Sequence, residues 1–172
     1  MRITSAFFFT FFILLSFSCE KREHHSIPKT ANEALTALME GNERFINNAS
    51  IHHNFIDEAH HSEKEQHPHT FVLSCIDSRV PPEIVFDQGI GNLFVARVAG
   101  NIEDPNILGS MEYAVQVKGT KLLVVLGHSN CGAVQGAIDN VNLGHLTQLT
   151  NQIKVAFSKH KTYPLPEHLS NE

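Results

Sequence analysis

The sequence has no Lys/Arg-rich stripe: 13 basic residues against 18 acidic ones leave a formal charge of -5 over 172 residues, with histidine neutral. Such a chain has little with which to neutralise phosphates, which argues against nucleic acid as a partner. Glycine and proline stand at ordinary levels, 10 and 7, so the chain is not low-complexity. No internal repeat and no second-domain boundary is visible. Cysteine is sparse, limited to Cys19, Cys75 and Cys131, and tryptophan is absent. The apolar run from Ala6 to Phe17 is too short to span a bilayer comfortably as a permanent helix. What remains, with 42% hydrophobic residues, is enough for one globular domain with its own core.

That early run, with Arg2 before it and small residues after it, predicts a secretory signal over 1–18. Ser16 and Ser18 suit ordinary signal peptidase, while Leu15-Ser16-Phe17-Ser18-Cys19 resembles a loose lipobox that would lipidate Cys19. Plain cleavage, an uncleaved anchor and lipidation all stay open. Each takes the domain out of the cytoplasm, to a periplasmic or membrane-attached place held only by the N-terminus. Residues 19–29 read as a polar tether, and 30–172 as the domain.

Thr30-Ala31-Asn32-Glu33 is a capping-box pattern, and Ala34, Leu35, Leu38 and Met39 follow at helical spacing. Gly41-Asn42 is expected to interrupt that helix, with Phe45 and Ile46 adding an apolar contact. Residues 50–69 are polar and carry His52, His53, His60, His61, His67 and His69, half of the 12 histidines. A solvated loop is the plain reading of that stretch; proton shuttling or zinc gathering is the functional one. A buried strand is expected at Phe71–Cys75, a second strand at Asn92–Val98 and a third, apolar one at Leu122–Leu126. Between them, Pro81-Pro82 to Phe86 forms a turn or short helix, and Asp104-Pro105 opens a helix through Val117. Further helices are expected from Cys131 to Ile138 and from Leu143 to Phe157. The alternation implies an α/β fold, a mostly parallel sheet flanked by helices.

In such sheets, ligands collect beyond the carboxyl ends of the strands. Cys75 ends the first strand, His128 follows the third, and Cys131 begins a helix three residues later. Two thiolates and an imidazole make a sound set for Zn2+, with a fourth tetrahedral place left for water. The helix N-terminus favours Cys131 as thiolate. For an exported chain, a Cys75–Cys131 disulfide is the structural alternative. Asp77 and Arg79, two and four residues beyond Cys75, are spaced to pair on one side of an extended turn. The Asp77 carboxylate can accept a hydrogen bond from water on the metal, or itself close the coordination as fourth ligand. A solvated loop salt bridge is the plain alternative.

Several segments together resemble the β-class carbonic anhydrases. They are Cys75-Ile76-Asp77-Ser78-Arg79-Val80, Phe86-Asp87-Gln88-Gly89, Leu93 to Asn101 as LFVARVAGN, and Gly127 to Val134 as GHSNCGAV. Ile107 to Val115 and Gly41-Asn42-x-Arg44-Phe45 fit as well. The resemblance runs from about Thr30 to about Ile138. It implies zinc-dependent, reversible hydration of carbon dioxide to bicarbonate, with a homodimer or higher oligomer as the working unit. By position, Gln66 matches a glutamine that reaches across the dimer interface to the substrate, and Phe94, Ala99 and Tyr113 match positions lining the small apolar pocket. Plain core packing is the alternative for Phe94 and Tyr113, and a solvated loop for Gln66. Another subtype usually carries tryptophan near the glutamine's position. Its absence here favours the open-site subtype, in which Asp77 pairs with Arg79.

Family members usually run on with another strand and helix, so the C-terminal part is expected to be truncated and the sheet to lack an edge. Two alternatives to an active enzyme follow. One is a non-catalytic zinc-binding protein; the other is a related hydrolase of carbon disulfide or carbonyl sulfide using the same ligands.

Overall fold

The computed structural model describes residues 27–51 and 53–159. The expected signal over 1–18, the Cys19 lipidation site, most of the tether and His52 lie outside these residues. Among the described residues no helix is long and apolar enough to cross a membrane.

Three strands, β1 (Thr70–Ser74), β2 (Leu93–Arg97) and β3 (Leu122–Leu126), form a parallel sheet in the order β2-β1-β3. β1 is central, and all five of its residues are buried. That explains why TFVLS reads as a continuous run rather than an alternation. Register pairs Ser74 with both Arg97 and Leu126, so the three strands end level with one another.

Each face of the sheet carries its own core. On one, Val72, Phe86 and Leu38 pack with Leu93, Leu122, Val124 and Leu126. The helices there are α1 (Ala31–Ile46) and α3 (Pro82–Val85). On the other face, Phe71, Leu73 and Ala114 pack with Phe94, Ala96, Val98, Ile107 and Met111. There α4 (Pro105–Glu112) covers β1 and β2, opened by Asp104, whose carboxylate accepts from the Asn106 and Ile107 N–H groups. It widens into a π-helical turn at Tyr113–Val117. The expected parallel sheet flanked by helices is present, and among the described residues part of β3 on this face stays open to solvent. Leu123 and Val125 of β3 are 46% and 63% exposed.

The expectation that Gly41-Asn42 interrupts the first helix is corrected: α1 runs unbroken to Ile46. A Cβ at Gly41 would lie 1.8 Å from the Phe86 carbonyl oxygen, so glycine is there for close approach to α3. Asn42 beside it donates to the Val85 carbonyl at 3.0 Å. Thr30 caps α1 by accepting from the Glu33 N–H, while the Glu33 carboxylate accepts from the Lys29 N–H rather than from Thr30. Phe45 and Ile46 are exposed rather than packed.

Residues 50–69 are not simply a loop. They contain α2 (Phe55–Ser62), capped by Asn54, with Asp57 and Glu58 in its first turn and His60 and His61 in its last. The sequence signal was that cap and charge order. Glu58 ties the helix down by accepting from the Ile90 N–H and contacting His53 Nδ1 at 2.9 Å. After β3 come α5 (Gly132–Ile138) and α6 (Gly144–Lys159), which pack on each other near the end of the sheet that carries Cys75. Ile153 of α6 rests against Gly100, in the 3-10 turn Ala99–Asn101 that follows β2.

Candidate metal centre

Three side chains converge where β1 and β3 end. Cys75 follows β1 directly, and His128 lies two residues past β3. Because β1 and β3 are neighbours in register, the chain delivers both to one point. Cys131, at the N-terminal end of α5, completes the set: the Sγ and imidazole nitrogen atoms of Cys75, His128 and Cys131 all lie within 4.8 Å of one another. The expected gathering of these three is therefore present. The two sulfurs are 3.9 Å apart, both cysteines free, so the disulfide alternative is not formed.

The cluster is shielded from solvent. Cys75 is 4% and Cys131 9% exposed. His128 is held through Nδ1 against the Ser129 carbonyl at 2.8 Å. That contact assigns the ring proton to Nδ1 and leaves the Nε2 lone pair aimed inward. Nε2 is buried and has no hydrogen-bond partner among the described residues. A buried polar atom without a partner is costly. The donors, two thiols and an imidazole nitrogen fixed from behind by a carbonyl, are those zinc takes in open sites.

The electrostatics agree. Burial works against the Cys75 thiolate, but the Gly100 N–H (3.4 Å), His128, the Asp77 N–H and Cys131 together bring the thiol down to about 7. Contact with Cys75 raises His128 above its ordinary value, against the opposing effect of burial. A thiol that ionises readily beside an imidazole nitrogen suits the binding of a cation.

Asp77 and Arg79 are paired as their spacing suggested. The carboxylate accepts from Arg79 Nε at 2.9 Å, Arg79 Nη2 at 2.7 Å and the Arg79 N–H at 2.9 Å. These bonds hold the Asp77 carboxyl well below the usual carboxylate range. Its Oδ2 stands 3.8 Å from His128 Nε2, at the edge of the cluster. Arg79 also donates to the Asn130 carbonyl, joining the two loops.

The remaining site expectations separate into two groups. Ala99 begins the turn whose next N–H, that of Gly100, reaches Cys75 Sγ. Phe94 and Tyr113 meet edge to face, 6.3 Å between centroids, and line a cavity of about 670 Å³ with Phe71, Ala96, Pro105 and Gly109. None of the three converging residues lines that cavity. Gln66 is exposed on the segment between α2 and β1. Sequence reasoning missed Arg97, which donates to the Cys75 and Asp77 carbonyls; the one signal was a charge closing an apolar strand. It also missed the Gly100 N–H and the Ser129 carbonyl, backbone groups that no side-chain pattern reveals.

Residues 70–171 match the family model described as carbonic anhydrase. This chain belongs to the β-class carbonic anhydrase family. Carbonic anhydrase 2 of Mycobacterium tuberculosis is 46% identical over 114 residues, and the carbonic anhydrase of Mycolicibacterium smegmatis 43% identical over 114. Each match covers 66% of this chain and 55% of the relative, so the chain spans about half the length of these family members. Among solved structures, the Coccomyxa β-carbonic anhydrase in complex with acetazolamide aligns with a TM-score of 0.57 at 26% identity. That alignment covers 74% of this chain and 59% of the Coccomyxa protein. A tetrameric β-carbonic anhydrase from Sordaria macrospora aligns at 0.54 and 29%, over 75% of this chain and 64% of its own. The family's parallel sheet with flanking helices is thus the fold seen here.

Proposed function

We propose that the chain catalyses the reversible hydration of carbon dioxide to bicarbonate and a proton, with zinc held by Cys75, His128 and Cys131. The observation that carries this reading is the buried, unpartnered His128 Nε2 facing two free thiols, with an arginine-held carboxylate beside it. Zinc bound there supplies a Lewis acid that makes water nucleophilic near neutral pH. The Ser129 carbonyl fixes the His128 tautomer, and the Gly100 N–H steadies the Cys75 sulfur. Asp77, kept ionised by Arg79, stands ready to accept a proton-bearing hydrogen bond at Oδ2 and to orient the attacking water. Because Arg79 occupies both of its oxygens, Asp77 serves as acceptor here rather than as fourth ligand.

The working unit on this reading is a homodimer or larger assembly. Its support is the separation of the Phe94–Tyr113 cavity from the metal set, together with exposed apolar groups on α1 (Leu35, Met39 and Ile46) and on β3. Such surfaces are typical of chains that associate. Export through the 1–18 segment belongs to the same reading, and fractionation that recovers the chain with Met1 intact in the cytoplasm refutes that part.

The test is zinc content and hydration rate measured together on the purified chain. One zinc per chain and measurable turnover are expected, with Cys75→Ser, His128→Ala and Cys131→Ser each abolishing stable binding. Stoichiometric zinc without hydration at any pH favours a non-catalytic zinc protein. Turnover of carbon disulfide or carbonyl sulfide in place of carbon dioxide favours the related hydrolase.

A further inference from the structure

The β1 ladder ends at Ser74, whose carbonyl accepts the last sheet bond, from the Val98 N–H at 3.0 Å. Beyond it, Cys75 to Arg79 leave the sheet. Their backbone must be positioned by other means, because one residue there supplies a metal donor and another the Asp77 carboxylate. Local bonds exist but are few: Ser74 Oγ donates to the Cys75 carbonyl at 3.3 Å, the Val80 N–H to the Asp77 carbonyl at 3.2 Å and the Arg79 N–H to the Asp77 carboxylate at 2.9 Å. Arg97, the last residue of β2, lies in register beside Ser74. Its side chain crosses the end of β1, where Nε donates to the Cys75 carbonyl at 2.9 Å and Nη2 donates to the Asp77 carbonyl. One planar group thus holds the two carbonyls that flank Ile76.

We propose that Arg97 is a positioning residue for the reaction, clamping the Cys75–Asp77 backbone so that thiol and carboxylate keep their places about the metal. The proposal rests on the metal reading above but goes beyond it, since Arg97 touches neither the donors' reacting atoms nor the Asp77 carboxylate. It divides the labour between two arginines. Arg79 holds the Asp77 carboxylate to the loop of Asn130, and Arg97 holds the backbone beneath it. Only a rigid fork can serve both carbonyls at once; a lysine ammonium is a single point on a flexible stem. Displacement of a catalytic group by about 1 Å is enough to cost about 10²-fold in rate.

The experiment compares wild type, Arg97→Ala and Arg97→Lys, each loaded with cobalt(II) in place of zinc and also assayed with zinc. Arg97→Ala is expected to bind one metal per chain, to shift the cobalt visible absorption band, and to lose about 10-fold or more in turnover per bound metal. Amide exchange in the 75–80 segment should quicken. Arg97→Lys should fall between wild type and Arg97→Ala in all three readouts. A purely structural arginine would lower the melting temperature while leaving the cobalt band and the turnover per bound metal unchanged. That outcome overturns the proposal. A wild-type chain that takes up no cobalt refutes the metal reading and this proposal with it, whereas normal uptake with an indifferent Arg97→Ala refutes this proposal alone.

Discussion

Asp77 shows how one residue's partners decide its chemistry. Three bonds from Arg79 hold its carboxyl below the ordinary range, so it stays ionised throughout neutral pH. A group with a depressed folded pKa gives its full contribution above the unfolded value near 4 and loses it as pH falls through the folded one. On the proposed reaction, Asp77 should therefore impose no pH dependence on turnover between about 6 and 9. Asp77→Asn should cut turnover about 10²-fold or more at every pH in that window while zinc stays at one per chain, because the acceptor is lost and the three donors remain. Arg79→Ala should be similarly harmful, since it frees Asp77 to compete for the metal. Stopped-flow hydration with parallel metal analysis reads both, and full turnover by Asp77→Asn would show the carboxylate to be a surface charge only. The gathering of Cys75, His128 and Cys131 and the pairing of Asp77 with Arg79 were legible in the sequence because side-chain chemistry and spacing carry them. The groups that orient them were not legible. The Ser129 carbonyl and the Gly100 N–H belong to the backbone, and Arg97 reaches the loop only because β2 lies beside β1.

Elements were legible where burial and periodicity agreed. Leu122–Leu126 is a strand as its β-branched run suggests, and Asp104-Pro105 opens a helix as cap and first turn. Gly41 misled because a glycine inside a helix is read as a break, whereas here it permits α1 and α3 to touch. Gly41→Ala should therefore destabilise by about 3 kcal/mol, since the added carbon meets main chain that cannot rotate away. Gly136→Ala is the control: its Cβ would find neighbours no nearer than 3.7 Å, inside a helix, and should be neutral or stabilise by about 0.5–1 kcal/mol. Urea unfolding of both variants checks the contrast, and equal effects would refute it. The histidine-rich stretch misled in the other direction. His69, at its end, is buried between Thr70 Oγ1 at 2.8 Å and Gln88 Oε1 at 3.2 Å. Burial lowers its pKa, with Gln88 opposing. The unfolded chain then binds a proton before the folded one does. Stability contributed by neutral His69 is complete above the unfolded value near 6.5 and falls as pH drops from there toward the folded value. His69→Asn should flatten that acid limb relative to wild type in urea titrations between about pH 5 and 7.5, and an unchanged limb would exclude His69 as its source.

At the scale of the whole molecule, the residues that the proposed reaction would use fall into two groups. The three candidate metal ligands gather at the ends of β1 and β3, while Phe94 and Tyr113, on β2 and at the head of the π-turn, line a separate cavity. Within one chain the apolar pocket expected for carbon dioxide is thus not assembled around the donors, and Gln66 stands exposed. Apolar surface on α1 and β3 lies open as well. The sequence told which residues to look for but not this division, because matching motifs say nothing of which chain a neighbour comes from. If the site is completed by a second copy, two kinds of defect should complement each other. His128→Ala removes a metal donor and should be inactive alone, and Tyr113→Ala or Phe94→Ala should be strongly impaired with zinc bound. Mixing the two after reversible dissociation produces mixed dimers in which one site keeps an intact metal set and receives an intact Phe94–Tyr113 pair from its neighbour. Activity should then rise well above the sum of the separate variants, toward about a quarter of wild type for random pairing of two equal populations, half of the dimers being mixed with one good site each. Light scattering on the wild type should give a mass of at least two chains. A monomeric mass with full turnover, or mixtures that never exceed the sum of their parts, would place the complete site within one chain.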